Sequence, residues 1–84
     1  MSLLQVIDTF EQAGLHRLSD TSLSQAQFRT DSMIAHLDEH NTAFWPVEVD
    51  DGQVWREVTV RRSQMLTISQ TITTMLTIRY GCND

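Results

Sequence analysis

His36 and His40 stand one helical turn apart with Glu39 between them, and no other set of residues in the chain has types and spacing so suited to chemistry. Two imidazoles at i and i+4 can hold a zinc ion from one helix, and a neighbouring carboxylate can act as general base on a metal-bound water. Catalysis also needs a third protein ligand and an open coordination position. His16, Glu48 and Glu57 are the candidates for that ligand, and no second motif selects among them.

Written as letters, residues 36–40 are H-x-x-E-H, an arrangement that resembles the inverzincin metallopeptidases. The resemblance spans five residues and implies a zinc hydrolase with His36 and His40 as ligands and Glu39 as base. On a helical projection both histidines flank the apolar stripe, where solvated boundary histidines are ordinary. The reading adopted is no metal and no cofactor. A metal-binding protein or metallohydrolase built on His36 and His40 is the alternative.

Other chemistry has less support. Cys82 has no assignable His, Arg or helix N-terminus to lower its pKa, so an inert thiol is expected. The chain has no Gly-rich phosphate loop, nucleophile elbow or dinucleotide fingerprint. An enzyme is therefore not expected.

Charge points to a protein partner. The net charge is −5, and the first fifty residues set eight acids against Arg17 and Arg29 alone. Such a chain is repelled by phosphate backbones, which argues against nucleic acid despite Arg56, Arg61 and Arg62. A basic protein surface suits it better. A dimeric nucleic-acid-binding regulator is the further alternative.

A chain of 84 residues with 40% apolar and 20% charged residues reads as one small globular domain, 1–84, rather than a disordered segment. The single cysteine excludes an intrachain disulfide framework. The first residues lack a basic leader region, and Asp8 and Glu11 interrupt any apolar run, so a cytoplasmic protein with no membrane contact is expected.

The elements follow from caps and periodicity. Ser2 with Gln5 forms a capping-box pattern ahead of Leu3, Ile7 and Phe10, and Gly14 offers a stop, predicting a helix over residues 3–13. Ser22 with Gln25 repeats the pattern before a second helix, whose stripe is Leu23, Ala26, Met33, Ile34 and Leu37 and which ends near Asn41. Phe28 and Ala35 fall outside that stripe. From residue 43 the period becomes two, and Asp51–Gly52 suits a tight hairpin turn. A two-residue turn pairs residues whose numbers sum to 103, such as Val47 with Arg56 and Trp45 with Val58, and buries Trp45 in the core.

Residues 65–80 fit both periods. Val, Ile and Thr are so frequent there that strand is the adopted reading, with a bend near Ser69 to Thr71. The expected fold class is α+β: two N-terminal helices on a small antiparallel sheet made of hairpin 43–61 and strand region 65–80. The alternative is all-α with a long C-terminal helix over Gly52 to Tyr80, seamed by Val54, Val58, Met65, Ile68, Ile72 and Met75.

The hairpin alternation sends Phe44, Pro46, Glu48, Trp55, Glu57, Thr59 and Arg61 to the face away from the core. Aromatics in a charge-rimmed exposed patch mark protein interfaces. Phe44, Trp55, Glu57 and Arg61 are the candidate partner-binding residues. The expected function is a small non-enzymatic interaction protein, an adaptor, inhibitor or accessory subunit, with a homodimer as a further partner state.

Overall fold

A computed structural model describes residues 2–50 and 55–81. In chain order it holds α1 (Leu3–Glu11), a single 3-10 turn (Leu15–Arg17), α2 (Asp20–Glu39), β1 (Phe44–Asp50), β2 (Trp55–Arg61) and α3 (Arg62–Gly81). The α+β class holds, and the C-terminal element is a long helix.

Helix α1 starts at the expected capping box: the Ser2 hydroxyl accepts from the Gln5 amide while the Gln5 side chain accepts from the Ser2 amide. It ends at Glu11, two residues before the sequence expectation. The left-handed turn falls on Ala13 (φ 54°) rather than on Gly14, whose φ is −102°. Helix α2 begins three residues earlier than expected, because Ser19 and not Ser22 is the N-cap and accepts from the Ser22 amide at 3.1 Å. Asn41 (φ 51°) turns the chain out of α2, a conformation that Asn tolerates well.

Residues 65–80 are helical, which corrects the strand reading. Burial outweighs β-propensity here. Met65, Ile68 and Ile72 recur at helical spacing and are fully buried. The threonines also fit a helix, since the Thr67 and Thr71 hydroxyls donate to the carbonyls of Ser63 and Thr67 one turn back. The seam of the all-α alternative is right from Met65 onward. Its long helix over Gly52–Tyr80 is not formed, because Val58 lies in β2 and α3 starts at Arg62.

Helices α2 and α3 lie antiparallel in a register legible from their polar contacts. Asp20 meets Tyr80, Gln27 meets Thr73, Asp31 meets Ser69 and Asp38 meets Arg62, each pair of numbers summing to 100. The hairpin is inserted between them and its base is closed by the Arg62 amide donating to the Ala43 carbonyl at 2.8 Å. Val6 and Ile7 of α1, Leu23 and Ala26 of α2, Val60 of β2, and Met65, Ile68 and Ile72 of α3 share one core, with Leu15 of the 3-10 turn. Burying these side chains contributes about 1.5–3 kcal/mol for each large aliphatic. Thr30, the buried polar residue of α2, donates its hydroxyl to the Ala26 carbonyl at 2.8 Å.

The Cα trace measures 46 × 32 × 17 Å, about two helix layers deep. Among the described residues no helix is long and apolar enough to cross a membrane.

Candidate protein-binding face

In the hairpin, paired residue numbers sum to 105: Phe44 with Arg61, Trp45 with Val60, Pro46 with Thr59, Val47 with Val58, Glu48 with Glu57 and Asp50 with Trp55. The register expected from a two-residue turn is therefore displaced by two residues. Asp51, Gly52 and Val54 themselves lie outside the described residues. A shift of two keeps every side chain on its face, whereas a shift of one would invert them all. The division into inner and outer faces accordingly holds although the pairing does not.

All four residues expected to bind a partner are exposed on the outer face. Phe44 retains 61% and Trp55 68% of its surface. They are not neighbours: Phe44 sits across from Arg61 at the base of the hairpin and Trp55 across from Asp50 toward its tip. At about 3.3 Å per residue they are roughly 20 Å apart. The two rows between them are Pro46–Thr59 and Glu48–Glu57. The outer face is thus a band with an aromatic at each end and a carboxylate pair near the middle.

Like charges directly opposite on a sheet destabilise it. Strand parity alone puts Glu48 on this face, but its position opposite Glu57 depends on the register, which alternation does not supply. Pro46 has no N–H to offer and blunts the β1 edge against strand addition. Arg61 borders a hollow of about 400 Å3 with Phe10, Thr59, Ser63, Gln64 and Thr67. Arg62, its neighbour, turns away to Asp38, with Nε–Oδ1 at 2.7 Å. The two arginines therefore do not form a phosphate clamp.

The inner face carries the histidine pair. The rings of His36 and His40 have centroids 4.4 Å apart, and Trp45 lies against both, at 4.4 Å edge-on to His36 and 4.7 Å from His40. Trp45 is half-buried rather than part of the core. The displaced register sets it opposite Val60, over the C-terminal turn of α2. Among the described residues, no group of three His, Cys, Asp or Glu side chains comes together to hold a metal ion. Glu48 and Glu57 face outward on the hairpin, and the His16 carbonyl accepts from Arg79 at the other end of α2. Cys82 lies outside the described residues.

At the open ends of α2 and α3, Asp20 accepts from Arg79 at 2.6 Å and from the Tyr80 hydroxyl. The Tyr80 hydrogen bond, followed by that of Arg79, holds the Asp20 carboxyl below its usual 3.8. The same bond raises the Tyr80 hydroxyl above 10.0. This cluster fastens α2 to α3.

No family model, curated protein or solved structure matches the chain.

Proposed function

We propose that this chain is a small non-enzymatic interaction protein, an adaptor, inhibitor or accessory subunit, that binds a basic protein through the outer face of its hairpin. The observation that carries this reading is the pair of exposed aromatics, Phe44 and Trp55, on a face that the fold leaves uncovered. A few desolvated residues carry most of the binding energy in typical interfaces, and large aromatics, Trp above all, are over-represented among them.

The Glu48–Glu57 pair supplies the preference for basic partners. Held opposite each other, the two carboxylates repel, and a Lys or Arg placed between them relieves that repulsion on binding. The net charge of −5 steers the same class of partner toward the protein. Cytoplasmic residence is consistent with a single cysteine.

Affinity capture with the wild-type chain, followed by binding measurements on the recovered protein, tests the proposal. Trp55→Ala and Phe44→Ala should each weaken binding without lowering the melting temperature. Glu57→Gln should weaken binding most at low salt. A captured partner indifferent to all three would place the interface elsewhere.

A further inference from the structure

Among the described residues the sheet has two strands, so each strand keeps one edge without a neighbour. The edges differ. The Arg62 amide donates to the Ala43 carbonyl at 2.8 Å, and these residues continue the register of the ladder, so they form a hydrogen-bonded pair at its base. Such pairs alternate with non-bonded ones along antiparallel strands. Val60, Val58 and Arg56 therefore turn their backbone groups toward β1, while Arg61, Thr59, Glu57 and Trp55 turn theirs to the free edge of β2. The outward set of β1 includes Pro46, which has no N–H to give. The outward set of β2 has no such break.

We propose that the free edge of β2 pairs antiparallel with β2 of a second copy about a two-fold axis through Thr59, joining the two hairpins into one four-stranded sheet. The side chains along the edge select that occupant. An incoming strand must set a cation opposite Glu57 and, four residues away, an anion opposite Arg61. β2 run in reverse carries both at that spacing. Across the new ladder residue numbers sum to 118, and Glu57 of each copy lies opposite Arg61 of the other, with Thr59 opposite Thr59 between them. Opposite charges and paired threonines both favour cross-strand contact. On the inner face Val58 of each copy meets Val60 of the other, which extends the apolar side of the sheet. A two-fold contact needs this self-complementarity.

Other registers lose it. Only even sums bring the outward backbone groups of both strands together. A sum of 114 sets Glu57 against itself, 116 leaves Glu57 opposite Thr59 and puts Arg56 opposite Val60, and 120 carries Glu57 past Arg61 to Ser63. Beside Thr59 and Arg61 the surface opens into the hollow of about 400 Å3 bordered by Phe10, Ser63, Gln64 and Thr67, which leaves room for the incoming chain. One strand edge is a smaller contact than the standard of about 800 Å2 per partner, and copies carrying −5 repel at long range, so the dimer forms at high protein concentration. Pairing uses the edge and not Phe44 or Trp55. It therefore goes beyond the proposed function: the joined sheet shows both aromatics of both copies on one side.

Sedimentation of the full chain up to high micromolar concentration tests the contact, with melting temperatures to confirm that each variant is folded. The wild type should self-associate. Glu57→Arg and Arg61→Glu should each weaken association about tenfold by setting like charges across the axis, and the double variant, which exchanges the two charges, should restore it. Trp55→Ala should associate as the wild type does, even where it no longer binds a captured partner. In a Cys82→Ser background, Thr59→Cys should form a covalent dimer on mild oxidation faster than the exposed helical control Ser24→Cys, because the axis sets it opposite its own copy. A wild type that stays monomeric overturns the proposal. So does a double variant no better than the single ones, association lost in Trp55→Ala, or a Thr59→Cys cross-link no faster than the control.

Discussion

Glu48 and Glu57 face each other across the two strands of the hairpin, between Phe44 at its base and Trp55 toward its tip. Repulsion between them costs stability that the free protein would gain by replacing either one. Glu57→Lys should raise stability by about 0.5 kcal/mol through a new cross-strand ion pair. The same variant should bind the basic partner less tightly. Paired denaturation and binding curves check both signs, and a gain in binding would remove the electrostatic part of the proposed function.

The hairpin register is open to a direct chemical test. In a Cys82→Ser background, Val47→Cys combined with Val58→Cys should form a disulfide on mild oxidation, because directly opposed residues have Cα atoms about 4.5–5.5 Å apart, within the span of a disulfide. Val47→Cys combined with Arg56→Cys, which a two-residue turn would oppose, should cross-link far more slowly. The reverse order of rates would restore that turn.

Asp20 makes the pH dependence specific. Its carboxyl is held low by the Tyr80 hydroxyl and then by Arg79, so its contribution to stability is present above 3.8 and is lost as pH falls through the lower value of the folded state. The Tyr80 hydroxyl is raised, so its contribution is present below 10.0 and is lost as pH rises through the higher folded value. Asp20→Asn should flatten both limbs of a plot of melting temperature against pH. Retention of both limbs in the variant would assign them to other groups.

Ala13 holds φ at 54°, a conformation that a Cβ disfavours. Ala13→Gly should therefore stabilise the protein by about 0.5–1 kcal/mol, even though glycine loses more chain entropy on folding. Gly14→Ala should gain nothing comparable from relief of a left-handed turn, since φ at Gly14 is already negative. Chemical denaturation of Ala13→Gly against the wild type checks the gain, and no gain would show that the turn at Ala13 is unstrained.

Local signals carried the parts of this fold that depend on neighbours in sequence. The Ser2–Gln5 cap, the apolar stripe of α2 and the alternation of the hairpin were each readable because their cause lies within a few residues. Three features were not. Residues 65–80 satisfy two periods at once, and helix wins because it brings Met65, Ile68 and Ile72 into one core with α1, α2 and Val60, which no local window contains. The hairpin pairing depends on the number of residues between the paired strands, and alternation is blind to a shift of two. Trp45 belongs to the inward set, yet it is only half-buried because what lies inward at its position is a pair of histidines at the end of α2.

The candidate site divides the same way. The outward placement of Phe44, Trp55, Glu57 and Arg61 followed from strand parity, while the spacing of the aromatics and the opposition of Glu48 to Glu57 needed the register. Phe28 was visible in the sequence as an apolar residue off the α2 stripe. One hollow beside it is completed by Leu3 of α1 and Val47 of the hairpin, and only the assembled fold shows it.

The most direct test of the hairpin face is the affinity of the captured partner for the wild type and for Trp55→Ala, measured where both chains are folded. Loss of an aromatic anchor of about 2 kcal/mol should appear as a roughly thirtyfold weaker Kd, with the melting temperature unchanged. Equal affinity of the two proteins for the partner, with Phe44→Ala also indistinguishable from wild type, would contradict the assignment of this face as the binding surface.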